Sequence, residues 1–161
     1  MPETWKPVVG LENRYEVSSL GRVRNSQSGH ELRPRKRNKY GHIGFALYNG
    51  CGQVLYRTAH SLVAEAFLGP RPSGQEVRHL NGVPTDNRVS NLAYGTRSEN
   101  HRDCYVYGGK HGRGKLSKDQ VLEIKALLAS GVRQTDIAKQ FGVNDGTIHH
   151  IRTGKNFSYI I

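Results

Sequence analysis

The run Gly108-Gly109-Lys110-His111-Gly112-Arg113-Gly114 holds four glycines in seven residues and divides the chain into two parts with different hydrophobic periods. Glycine loses more backbone freedom on ordering than any other residue, so a run of this kind reads as a linker, over residues 108–115. Before it, apolar residues recur at every second position or form short helical stripes. After it, the spacing is helical throughout. Three units follow: a β module over 1–57, a mixed unit over 58–107 and an all-helical unit over 116–157.

In the first unit, Tyr15-Glu16-Val17 and Gly21-Arg22-Val23 alternate apolar with polar around Ser18-Ser19-Leu20-Gly21, which predicts a small β-hairpin. Arg33-Pro34-Arg35-Lys36-Arg37-Asn38-Lys39 brings five cations into seven residues and leads into an alternating strand through Ile43, Phe45 and Leu47. Gly50-Cys51-Gly52-Gln53 turns the chain, and Val54 to Tyr56 pairs back.

In the second unit, Leu62, Val63, Ala66 and Phe67 predict a helix from Thr58 that stops at Gly69-Pro70. Val77 to Leu80 reads as a strand, Asn81-Gly82 and Pro84-Thr85-Asp86-Asn87 as turns, and Val89 to Leu92 as the returning strand. Thr96-Arg97-Ser98-Glu99 matches a capping box and opens a helix with Asn100 in its first turns. In the third unit, Ser117 and Gln120 form a second capping box before Val121, Ile124, Leu127 and Leu128. A helix through Ile137, Ala138 and Phe141, the turn Phe141-Gly142-Val143-Asn144 and a helix through Ile148 and Ile151 give either a helix-turn-helix or a plain three-helix bundle.

Charge selects between these. Lys+Arg number 24 against 13 Asp+Glu, a formal net charge of +11. Residues 1–57 carry ten cations and four acids, residues 58–111 six and five, and residues 112–161 eight and four. Two basic ends around a near-neutral middle suit two grips on a polyanion, and favour DNA reading by the helix-turn-helix. No apolar run reaches the roughly 18 residues of a membrane span, and the first residues do not read as a signal peptide, so a cytoplasmic protein is expected. Cys51 and Cys104 are too few for a disulfide framework.

His79 is followed at twelve residues by Asn91 and at twenty-one by Asn100. With Ala59 to Phe67, Val77-Arg78-His79-Leu80-Asn81-Gly82 and Asp86-Asn87-Arg88-Val89-Ser90-Asn91-Leu92, this spacing resembles the HNH endonucleases of the phage and intron-encoded homing type. Trp5-Lys6-Pro7-Val8, Tyr15-Glu16-Val17-Ser18 and Leu20-Gly21-Arg22-Val23 resemble the modular DNA-binding element often found before such nucleases.

The resemblance implies an α+β protein with an N-terminal β module, a central ββα-metal nuclease core and a C-terminal helix-turn-helix. It implies that His79 is the general base, that Asn91 holds the histidine loop, and that Asn100 ligates one divalent cation, Mg²⁺ or Mn²⁺. The products implied are a 5′-phosphate and a 3′-hydroxyl. Arg78 stands where many relatives carry a metal-ligating aspartate. An arginine cannot ligate a cation and could instead clamp the scissile phosphate; His60, His101 and Asp103 are further candidates for the site. His101, Cys104 and His111 form an H-x2-C-x6-H string, but a single nearby cysteine argues against structural zinc.

Double-stranded DNA is the expected partner, with no membrane and no protein partner. Contacts are expected from Arg22, Arg24, Arg33, Arg35, Lys36, Arg37 and Lys39, and from Asn144, Asp145, Thr147, His149, His150, Arg152 and Lys155. One constellation per chain, with no heptad pattern for a dimer, predicts a monomer that nicks one strand. The rival expectation is a DNA-binding regulator whose nuclease core has decayed.

Overall fold

The computed structural model describes residues 2–36, 41–106 and 116–160; Arg37, Lys39, His111 and the linker expected over 108–115 lie outside the described residues. Two compact units divide the chain, Met1–Asp103 and Cys104–Ile161. Among the described residues no helix is long and apolar enough to cross a membrane.

The first unit is mixed α and β. Strands β1 (Trp5–Pro7), β2 (Tyr15–Ser18) and β3 (Val23–Asn25) form an antiparallel sheet in that order. The β2–β3 turn is fixed locally: Ser18 Oγ accepts from the backbone N–H of Leu20 at 3.2 Å and of Arg22 at 3.0 Å, and Gly21 takes φ +90°. A Cβ disfavours that conformation. A second antiparallel sheet joins β4 (Arg35–Lys36), β5 (Ile43–Tyr48) and β6 (Val54–Thr58). Its central register pairs Gly44 with Thr58 and Tyr48 with Val54.

Helix α1 (Ala59–Leu68) follows β6 directly and ends at Gly69, φ +88°. Then come β7 (Gln75–His79), a loop, a 3-10 turn over Val89–Asn91, β8 (Leu92–Thr96) and α2 (Arg97–Val106). The returning strand therefore starts at Leu92, where its expected span ended. Val89 is held in the turn because its N–H donates to Ser19 O at 2.8 Å, across to the first sheet. The Thr96 capping box is present, with Glu99 Oε2 accepting from Thr96 N at 2.8 Å and Glu99 N donating to Thr96 Oγ1 at 3.3 Å.

One core joins both sheets, α1 and the hairpin. Val8, Val17 and Val23 from the first sheet, Phe45 and Leu47 from the second, Ala59, Leu62 and Val63 from α1, and Leu92 from β8 pack together. The boundary expected near residue 57 thus falls inside a continuous core, because the apolar face of α1 is covered by the sheets that precede it and the hairpin that follows.

The second unit is three helices, α3 (Lys118–Ala129), α4 (Gln134–Phe141) and α5 (Asp145–Arg152), around Val121, Ile124, Ile137, Ile148 and Ile151. Ser117 and Gln120 make the reciprocal capping box. Gly142 in the left-handed region, φ +64°, turns α4 into α5 within three residues, and Asn144 Oδ1 caps α5 from Thr147 N at 2.8 Å. The unit runs beyond 157, since Ile160 is buried in the same core and its carbonyl accepts from Lys125 Nζ.

Leu62, 2 % exposed, tests the shared core. Leu62→Ala is expected to cost about 2–5 kcal/mol. In denaturant titrations the fluorescence of the lone tryptophan, Trp5 in β1, should shift with it; an unmoved Trp5 transition would show the first sheet to be an independent module.

Candidate functional site

In a β-strand successive side chains face opposite ways, and β7 uses both faces. Its register with β8 sets Val77 opposite Tyr94, Arg78 opposite Ala93 and His79 opposite Leu92. Glu76 and Arg78 meet α2. His79 points the other way and is 8 % exposed.

The loop after His79 is built on Asn91, 7 % exposed. Asn91 Oδ1 accepts from Asn81 N at 2.9 Å, while Nδ2 donates to Asp86 O at 2.8 Å and to Asn81 Oδ1 at 2.9 Å. Asn81 Nδ2 in turn donates to Asp86 Oδ2 at 2.8 Å. Arg88 also bonds that carboxylate, and with Asn81 it holds the Asp86 acid down to about 2.

This loop delivers Asn87, 3 % exposed, to the imidazole of His79. Asn87 Nδ2 donates to Thr85 O at 3.0 Å, so Oδ1 faces His79 Nε2 at 3.2 Å. An amide oxygen only accepts, so the proton sits on Nε2 and the lone pair on Nδ1. Burial lowers the His79 pKa from its ordinary value, against the opposing influence of the Asn87 bond. A neutral imidazole with a free Nδ1 at neutral pH is the chemical form of a general base.

Two more imidazoles face it. The His60 ring, from the first turn of α1, lies with its centroid 5.2 Å from that of His79, and the His42 ring lies 4.9 Å from His60 and 5.7 Å from His79. Thr58 Oγ1 donates to Ser61 Oγ at 2.9 Å and therefore accepts from His60 Nε2 at 3.2 Å. That leaves His60 Nδ1 as a buried lone pair with no partner among the described residues. Burial and the two neighbouring imidazoles push the His60 pKa down to about 3; burial also lowers His42. His60 was a candidate in the sequence. His42 and Asn87 were not, since the signal for His42 is the register: Gly44 opposite Thr58 brings the residue two before it toward the residue two after.

On the other face, Arg78 Nε donates to Asp103 Oδ2 at 2.7 Å and Nη1 lies 3.4 Å from Glu99 Oε1. Gly95 makes room, because a Cβ there would come within 2.4 Å of Arg78 Cδ. Arg78, expected to clamp a phosphate, is held instead by two carboxylates, and Asp103 is engaged in the same pair; the strand alternation that directs His79 toward α1 directs Arg78 toward α2. Asn100 Nδ2 donates to Glu76 Oε2 at 2.8 Å. Its Oδ1 and the Glu76 carboxylate are hard oxygen donors, of the kind that a cation such as Mg²⁺ takes. His101 lies on the exposed side of α2.

The basic residues divide likewise. Arg22 pairs with Glu3 and Glu31, Arg24 pairs with Glu16, and both guanidinium groups stand over the Trp5 ring, at 5.5 and 4.1 Å. These two arginines bind the sheet to itself. Arg33, Arg35 and Lys36 are exposed and in no ion pair among the described residues. In the helical unit Asp145, His149, His150, Arg152 and Lys155 are exposed, whereas Asn144 and half-buried Thr147 hold each other through the cap, Oγ1 to Oδ1 at 2.6 Å.

Comparison with known proteins bears on the whole arrangement. A family model described as HNH endonuclease matches residues 57–102, and one described as NUMOD4 motif matches residues 3–45. The chain is 30% identical to Protein 2.8 of Escherichia phage T7, over 66% of this chain and 75% of that protein. It is 28% identical to the uncharacterized HNH endonuclease L247 of Acanthamoeba polyphaga mimivirus, over 95% of this chain and 39% of that one. It is 33% identical to the DNA endonuclease I-HmuI of Bacillus phage SP01, over 60% of this chain. The chain thus spans 39% and 54% of the lengths of the last two relatives. A solved structure described as DNA binding and cleavage by the HNH homing endonuclease I-HmuI shares the fold, with a TM-score of 0.60 at 22% identity, over 94% of this chain and 90% of that one.

Two outcomes follow from the geometry. Gly21 abuts the loop that carries Asn87, where an added Cβ would come within 2.7 Å of Asn87 Cβ. Gly21→Ala is therefore expected to destabilise the first unit by about 1–3 kcal/mol and to move the His79 ring resonances in NMR spectra; unshifted resonances would mean the loop yields without disturbing Asn87. The second concerns pH. His60 titrates lower in the folded chain than its ordinary 6.5, so the unfolded chain takes up the proton first as pH falls, and stability is lost from about 6.5 downward. Between pH 7.5 and 5 this amounts to ~2 kcal/mol. Denaturant midpoints measured in chelator should show the fall in wild type and a shallower one in His60→Gln.

Proposed function

Because the chain belongs to the HNH endonuclease family, we propose that it is a sequence-specific DNA endonuclease that hydrolyses a backbone phosphodiester with the help of one divalent cation, Mg²⁺ or Mn²⁺. The observation that carries the reading is His79: a buried neutral imidazole whose Nε2–H is held by Asn87, leaving Nδ1 to take a proton from water. Asn91 keeps that geometry by fixing the loop between Asn81 and Asp86. The water so activated attacks phosphorus and leaves a 5′-phosphate and a 3′-hydroxyl.

Asn100 Oδ1 and the Glu76 carboxylate would hold the cation. When bound, it neutralises charge on the phosphate and on the leaving oxygen. Asn100 keeps its amide oriented by donating Nδ2 to Glu76, and Arg78, balanced by Asp103 and Glu99, stiffens the packing of α2 on the hairpin.

DNA is gripped by Arg33, Arg35 and Lys36 and by the helical unit. There the exposed side chains of α5, His149, His150 and Arg152, with Asp145, face outward from Ile148 and Ile151 and suit a major groove. The chain acts as a monomer in the cytoplasm of a bacterial host. A single His79 per chain supports the nicking of one strand.

The Arg78 ion pairs favour a second reading, a DNA-binding regulator without cleavage, since they place a side-chain cation between β7 and α2. One experiment separates the readings. On supercoiled plasmid carrying the DNA around its own gene, the protein with Mg²⁺ should accumulate open circle, and His79→Ala should cut at least about 10²-fold more slowly while binding within a few fold. Rapid conversion to linear DNA would overturn nicking. Binding without cutting in either Mg²⁺ or Mn²⁺ would establish the regulator.

A further inference from the structure

We propose that His42, His60 and His79 form a binding site for one transition-metal ion of the Zn²⁺ class, separate from the oxygen pair of Glu76 and Asn100. One ring nitrogen from each lies within 4.8 Å of the other two. Three imidazoles around a tetrahedral ion have nitrogens about 3.4 Å apart, as Zn–N bonds of about 2.0–2.1 Å require. An ion would draw the three rings together, and three different elements supply the anchors: the entry to β5, the first turn of α1 and the end of β7.

The hydrogen bonds around the cluster are those of a metal site's outer shell. A ligating histidine usually donates its other ring N–H to a fixed acceptor, which sets the tautomer and aims the lone pair. His60 Nε2 donates to Thr58 Oγ1, and His79 Nε2 donates to Asn87 Oδ1. Both acceptors are committed in turn, Thr58 to Ser61 and Asn87 to Thr85. What remains is His60 Nδ1, buried and without a partner among the described residues. A buried nitrogen acceptor without a donor is costly, and a metal ion removes the cost.

Ligand chemistry chooses the ion. Neutral imidazole suits Zn²⁺, Co²⁺ or Ni²⁺, whereas Mg²⁺ and Ca²⁺ take oxygen. Burial lowers the pKa of all three imidazoles, and the neighbouring rings add to it at His60, which spares the ion competition from protons. A site with three protein ligands also leaves one position open. Resting on the function proposed above, a consequence follows: an ion on His79 Nδ1 takes the lone pair a general base needs, so occupancy silences cleavage.

The test uses the full chain stripped with chelator. Zn²⁺ titrated calorimetrically should bind at one ion per chain, and Co²⁺ should develop the visible absorption of a low-coordinate nitrogen site. His42→Gln and His60→Gln should each weaken binding at least tenfold, and Thr58→Val, which keeps all three ligands, about 10–100-fold. The double variant His149→Gln/His150→Gln should bind as wild type, and excess Mg²⁺ should not compete. Wild-type affinity in folded His60→Gln, or loss only in the His149/His150 variant, overturns the site. Cleavage in Mg²⁺ should fall with the same Zn²⁺ dependence as binding; if the chain cuts no DNA, the binding titrations alone still decide whether the site exists.

Discussion

The first unit depends on the burial of one short helix. α1 has ten residues, too few to be stable alone in water, and it carries no side-chain cap at its start. Its stability comes from packing: Ala59, Leu62 and Val63 lie against valines of the first sheet, Phe45 and Leu47 of the second, and Leu92 of the hairpin. Everything that matters chemically hangs from this contact. The first turn of α1 presents His60, β8 is held by Leu92, and the hairpin so placed turns His79 toward the helix.

The β7–β8 hairpin then separates two kinds of chemistry by nothing more than strand alternation. Toward α1 lie nitrogen lone pairs in a low-polarity setting, where burial disfavours the charged imidazoles. Toward α2 lie ionised groups, Arg78 with Asp103 and Glu99, and the oxygens of Glu76 and Asn100. The two sets sit on neighbouring residues, yet one favours soft or borderline ligands and the other hard ones. Arg78 is informative here. A guanidinium flanked by two carboxylates has partners for its charge within the protein.

Much of this was legible in the residues. Both capping boxes, the α4–α5 turn through Gly142 and the strand–loop–strand–helix order around His79 follow from local rules that need no tertiary information. β8 starts three residues after the expected Val89, a residue type that favours strands; a bond to Ser19, seventy residues earlier in the chain, winds it into a turn. The ion pairs of Arg22 and Arg24 are hidden from the sequence for a similar reason. Cation runs announce charge, but the acids that neutralise it are brought up by sheet pairing. His42 and Asn87 became visible only once the β5–β6 register and the Asn91 loop were in place.

The shared core of residues 1–103 also governs how such a chain can be recombined. A crossover at residues 57 and 58 would join one lineage's sheets to another's α1 and leave two half-cores of unmatched shape, with the Gly21–Asn87 contact broken as well. A crossover beyond residue 103 leaves that core whole. The expected mosaic is therefore residues 1–103 inherited as one piece, joined to second units that change freely, so that variation enters by exchange at one seam while the shared core travels intact.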